Sequence, residues 1–166
     1  MRSRQLLTRR QTIGLLLAAT LPAVARADDD LAMVGFVREL YTEQVRQHAS
    51  DERMSEQAFY ALFARELSAL MQRPRPGLAR EPSGRLLHAF FGWGVLPHVP
   101  VALVDVMPAF GGTGGLKLVR VDLTVRGEPR QLLVRPVRED GLWKIADISY
   151  DNGESLLAYY RRITAP

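Results

Sequence analysis

The chain contains no cysteine, which excludes a disulfide framework, thiolate chemistry and a lipoprotein anchored through a cysteine. Long apolar runs are missing as well. The longest candidate, Ile13 to Ala25, is interrupted by Gly14, Thr20 and Pro22 and falls short of the roughly 18 residues that a membrane span needs. Histidine is scarce: His48, His88 and His98 lack the i,i+4 spacing of a helical metal pair and have no carboxylates arranged to complete a site. No metal site is expected. The chain has no Gly-x-Ser-x-Gly elbow. Its GGTGG run at 111–115 lacks the Lys-Ser/Thr of a phosphate-binding loop and joins two expected strands, so it is taken as a hairpin loop. Nothing in the sequence calls for a cofactor.

The balance of charge is misleading at first sight. The 166 residues carry 22 Lys+Arg against 18 Asp+Glu, which suggests an affinity for nucleic acid or anionic membrane. Five of the basic residues, Arg2, Arg4, Arg9, Arg10 and Arg26, lie in the first 27 positions, where no acid occurs; the remainder therefore holds 17 basic and 18 acidic groups. Without a basic surplus there, the electrostatic footprint of a nucleic-acid binder is gone.

That basic opening, MRSRQLLTRRQTIGLLLAATLPAVARA, has the three parts of an export signal: a cationic start, a short apolar stretch and small residues at Ala25 and Ala27 around a cleavage position. Cleavage after Ala27 would leave Asp28 as the new terminus. Thr8-Arg9-Arg10 matches the start of the twin-arginine pattern, although Thr12, Ile13 and Gly14 stand where Phe, Leu and Lys are commoner. The expectation is residues 1–27 as a twin-arginine signal peptide read by the Tat translocase, and 28–166 as a single periplasmic domain without a stable membrane span.

Beyond the signal, Val34, Val37, Leu40, Tyr41 and Val45 recur at helical spacing, which predicts an amphipathic helix from Asp29 to about Ala49. A second helix is expected to begin at Ser55 as N-cap and to run through Leu62, Phe63, Leu67 and Leu70, stopping before Pro74. The stretch RPRPGLAREPSG at 73–84 is an exposed connection, and a short helix is expected over Ser83–Phe91. From Val101 onward the period changes to alternation, clearest in Lys117–Arg126, where Val119, Val121, Leu123 and Val125 alternate with polar residues. Further strands are predicted at Val101–Met107, Gln131–Val137 and Leu142–Tyr150. Turns are expected at Gly127-Glu128-Pro129 and Glu139-Asp140-Gly141, and a closing helix at Glu154–Ile163. Helices followed by an antiparallel meander argue an α+β fold, with N-terminal helices packed on a curved antiparallel sheet and a closing C-terminal helix.

Among chemistry-bearing residues, Asp147 stands out because it interrupts the apolar WKIADISY. It could act as a general base in an apolar pocket, or cap or pair near a strand end. Trp143, Tyr150, Phe90 and Trp93 are candidates for lining a ligand pocket, with core packing as the alternative role.

The segment EDGLWKIADISYDNGESLLAYYRRI, with FVRELY at 36–41 and LFARELSALM at 62–71, resembles the exported bacterial family known as domain of unknown function 3828. That resemblance implies a nuclear transport factor 2-like, or cystatin-like, fold and supplies no catalytic residue. FFGWGVLPH departs from the polar stretch expected after the third helix. The same tail, through Gly153, Ser155, Leu156, Tyr160 and Arg161, also resembles the end of periplasmic phospholipid-shuttle proteins of the toluene-tolerance type. The expected functions are accordingly a non-enzymatic periplasmic binding or accessory domain with an apolar pocket, a carrier of phospholipid or another small apolar ligand, or a small isomerase- or hydratase-type enzyme using Asp147.

Overall fold

Alternation along the second half of the chain builds the sheet. The computed structural model describes residues 21–50, 52, 54–73, 87–109 and 117–165, with side chains from Asp28 onward. The chain divides into two units, Met1–Ala32 and Met33–Pro166, and the buried core belongs to the second. Helix α1 spans Leu21–Ser50, α2 Glu56–Ala61, α3 Arg65–Met71 and α4 Leu156–Ile163. A small hairpin, β1 (Leu87–His88) and β2 (Gly92–Trp93), precedes the long strands β3 (Val101–Ala109), β4 (Leu118–Val125), β5 (Glu128–Glu139) and β6 (Leu142–Ser149). These four pair antiparallel in the order β3-β4-β5-β6, so the architecture is α+β with a meander.

In β4 the expected alternation is complete: Val119, Val121, Leu123 and Val125 are buried while Arg120, Asp122 and Thr124 are half-buried. Leu132 and Val134 of β5 and Ile145 and Ile148 of β6 complete the inner face. Fully burying aliphatic side chains of this size contributes about 1.5–3 kcal/mol each. Two register shifts bend the ladder, one between Leu103 and Asp105 and one between Arg135 and Pro136. The turn after β4 is the two-residue Arg126-Gly127, both at positive φ, rather than Gly127-Glu128-Pro129; Pro129 already pairs with Thr124 in β5. Asp140-Gly141 turns β5 into β6, also with both residues at positive φ, as a tight hairpin of this kind requires.

Helix α1 begins eight residues before the expected Asp29, at Leu21. Pro22 fits a first turn and the alanine-rich stretch that follows favours helix. Arg9 and Arg10 lie outside the described residues. Ala25 and Ala27 lie within α1, before the residues whose side chains are described. No described helix is long and apolar enough to cross a membrane.

The single helix expected from Ser55 to Leu70 is two. Ser55 Oγ accepts from Ala58 N at 3.2 Å, as predicted, but the chain leaves the helix at Leu62. The reason is the free edge of β6: Ala64 N donates to Ile145 O at 2.8 Å and Ile145 N donates to Leu62 O at 2.9 Å, so Phe63 pairs with Ile145 in parallel. Exposed edge groups that need partners outweigh a continuous helix here. The helix expected over Ser83–Phe91 is not formed in its described part, where Leu87–Trp93 is a hairpin. Its carbonyls are satisfied from elsewhere: Tyr150 Oη donates to Ala89 O at 2.7 Å, and Arg130 donates to Phe91 O and Trp93 O at 3.3 and 3.1 Å. Residues 83–86 and the GGTGG run lie outside the described residues.

Candidate functional site

The buried stripe of α1 runs Met33, Val37, Leu40, Tyr41 and then Gln44, one turn beyond the last aromatic. An amide thus occupies a position that helical spacing reserves for an apolar side chain. Gln44 is 7 % exposed, is the one buried polar residue among those described, and its Nε2 has no hydrogen-bond partner. A buried unpaired donor of this kind costs about 1–3 kcal/mol.

Gln44 lines a cavity of about 480 Å³ bounded by the C-terminal half of α1, by α2, by the β1–β2 hairpin and by Tyr160 of α4. Its apolar walls include Phe59, Tyr60, Leu87 and Phe90; its polar groups are Gln44, Gln47, His48, His88, Glu52 and Glu56. Aromatic packing fixes the floor. Phe90 is fully buried, stacks on Phe63 with centroids 5.5 Å apart and meets Tyr41 edge-on at 6.0 Å. Such pairs add about 0.5–1.5 kcal/mol beyond burial.

The two histidines come from elements far apart in sequence and sit with ring centroids 5.5 Å apart. His88 lies flat against Phe91, centroids 4.4 Å apart, and His48 meets the same ring edge-on at 5.3 Å. Their hydrogen bonds set their neutral tautomers. Phe90 N donates to His88 Nδ1 at 3.3 Å, so the His88 proton sits on Nε2. His48 Nε2 lies 2.9 Å from Val99 O and donates to it, which leaves Nδ1 as an acceptor. Burial, and secondarily the neighbouring His48, push the His88 imidazole down to about 4. The cavity therefore offers donors at Gln44 and His88, an acceptor at His48, and the carboxylates of Glu52 and Glu56.

Of the catalytic and pocket candidates Asp147, Trp143, Tyr150, Phe90 and Trp93, only Phe90 lines this cavity, together with His48, His88 and Tyr160. Tyr150 is buried beneath it, its hydroxyl committed to Ala89 O, and burial raises its phenol well above the usual range. Trp93 packs edge-on against Tyr159 at 5.3 Å, and its buried Nε1 has no partner. Trp143 is only half-buried, under the guanidinium of Arg138 at 5.4 Å from the ring centroid, rather than filling the space between sheet and helix. Asp147 does not line the cavity. Its Oδ1 accepts from Leu157 N, at the start of α4, at 2.9 Å and from Ile148 N of β6 at 2.8 Å.

A second hollow beside α3 contains Lys144 and Glu139, but both are engaged: Lys144 Nζ donates to Ala61 O and Glu139 accepts from Arg65 N at 2.9 Å. Among the described residues, no three His, Asp or Glu side chains are grouped to hold a metal ion.

Gln44, His48 and His88 were not apparent as a site because their spacing matches no ligand pattern. The available signal was that Gln44 and His48 extend the apolar stripe of α1 at i+3 and i+7 from Tyr41. No family model, no curated protein and no solved structure matches the chain.

Proposed function

We propose that this chain is a non-enzymatic binding domain, exported to the periplasm, that holds one small amphipathic molecule in the cavity of about 480 Å³ between α1, α2 and the β1–β2 hairpin. The observation that carries the reading is the buried, unpartnered Gln44 amide at an otherwise aromatic wall. A few convergent polar groups on an apolar floor are the usual make-up of a ligand site, and a cavity of this volume suits a small molecule. In this reading the helices pack on a curved sheet in the nuclear transport factor 2-like manner, and the domain belongs with the exported family of unknown function 3828.

The alternatives have less support. A phospholipid carrier needs cationic groups for the headgroup phosphate, yet among the described residues Glu52 and Glu56 line this cavity and no lysine or arginine does. An enzyme using Asp147 would need that carboxylate at a site, whereas its Oδ1 accepts the Leu157 amide at the start of α4 and the Ile148 amide of β6.

A fragment screen by ligand-observed NMR tests the reading, run on the wild type and on Ala89→Phe, which places a ring in the cavity. Fragments that bind the wild type and are lost in the variant are expected. Fragments that bind both equally, or a screen without binders, would remove the cavity as the functional site.

A further inference from the structure

Resting on that reading, we propose that the cavity takes an aromatic amine, with its ring against Phe59 and Tyr60, its ammonium beside Glu56 and a hydroxyl or carbonyl oxygen on Gln44. Three independent features of the lining converge on this class.

The first is charge. Among the described residues, every formally charged side chain lining the cavity is acidic. Glu52 is ion-paired with Arg46 at 2.8 Å, so its charge is largely spent. Glu56 has no ion pair among the described residues and remains to attract a cation. An anion brought beside Glu56 would meet repulsion from that carboxylate.

The second is the wall. Phe59 and Tyr60, half-buried and backed by the fully buried Phe90, present aromatic surface, which receives a flat ring by offset or edge contacts and also favours a nearby ammonium through the ring quadrupole. The third is the buried polar set. Gln44 Nε2 and His88 Nε2 are donors and His48 Nδ1 is an acceptor. A phenolic hydroxyl answers both kinds, accepting from the amide and donating to the imidazole. Leaving the Gln44 donor unmet is costly, so an oxygen there should add selectivity over the same amine lacking it.

Tyramine and 4-hydroxyphenylacetate have nearly the same body and opposite charge, and phenethylamine lacks the hydroxyl. Each would be titrated into the protein near neutral pH while the His48 and His88 imidazole resonances are followed. Tyramine is expected to bind at least about tenfold tighter than the acid and several-fold tighter than phenethylamine, differences of roughly 1.4 kcal/mol and somewhat less. Glu56→Gln, at an exposed position, should shrink the preference for the amine over the acid several-fold. Gln44→Met should remove the preference for tyramine over phenethylamine. Equal binding of amine and acid, or preference for the acid, would overturn the proposal and leave the cavity reading standing. Absence of any imidazole shift with all three probes would overturn it too, and the contrast between wild type and Ala89→Phe then decides the cavity reading separately.

Discussion

Asp147 and Leu157 are joined by a hydrogen bond of 2.9 Å from the Leu157 amide to Oδ1, across the turn between β6 and α4. Ser155 is the N-cap of α4 and takes the Ala158 amide at 3.1 Å, so two side chains share the free donors of the first turn. Asp147→Ala should therefore cost about 1–2 kcal/mol of stability, the usual range for loss of an N-terminal helix acceptor. Asp147→Asn keeps the acceptor oxygen and should cost less. Urea denaturation of both variants measures this. A variant as stable as wild type that had lost ligand response would instead mark Asp147 as a functional group.

Gly92 sits at φ +87 with the position of a β-carbon 3.1 Å from Cδ1 of Tyr150. The Tyr150 hydroxyl in turn holds the β1–β2 hairpin through Ala89 O. Gly92→Ala should lose about 1–3 kcal/mol from backbone strain and crowding together. Gly94 also has a positive φ, +75, but nothing lies within 4 Å, so Gly94→Ala should be milder. Equal effects of the two in thermal denaturation would contradict the packing of Tyr150 against Gly92.

The contrast between β4 and the segment Leu62–Trp93 shows what could be read from the chain. Alternation at Val119, Val121, Leu123 and Val125 is a local signal, and the face it defines is buried as expected. Ser55 as a helix cap is equally local. The break at Phe63 is not, because it depends on Ile145, a partner whose edge groups become available only once the sheet exists. Likewise Leu87–Trp93 has helix-compatible residues, and its hairpin is held by Arg130 of β5 and by Tyr150, just after β6, both distant in sequence. The candidate site was hidden for the same reason: His48 and His88 meet only through tertiary packing. Trp143 was legible as part of the WKI strand but not as half-exposed. Its truncation to alanine should cost about 1–3 kcal/mol rather than the 3–5 of a fully buried aromatic.

Export by the twin-arginine route is expected to depend on Arg9 and Arg10 as a pair, because two guanidinium groups are not equivalent to two ammonium groups in planar, bidentate recognition. Replacing both with lysine preserves charge and should abolish export, with mature protein starting at Asp28 in the wild type. N-terminal sequencing of the exported protein and immunoblotting of cell fractions read both points. Unchanged export of the double-lysine variant would assign a general secretory route instead.

His88 should make stability depend on pH in one direction. Burial holds its imidazole at about 4, below the ordinary 6.5, so the folded protein prefers the neutral ring. The contribution is complete above about 6.5, where the unfolded chain is also neutral, and is lost as pH falls from there to about 4, where folding must exclude a proton that the unfolded chain binds. A displacement of this size corresponds to about 3 kcal/mol. The groups around the ring do not reverse the sign: His48 repels a second cation, and Glu52 and Glu56, which would favour one, lie toward the solvent edge of the cavity. Urea midpoints measured between those limits should fall with pH in the wild type, and His88→Phe, which keeps a flat ring against Phe91, should flatten the dependence. A profile as steep in His88→Phe as in the wild type would place the titrating group elsewhere and remove the stacked His88 from the origin of the effect.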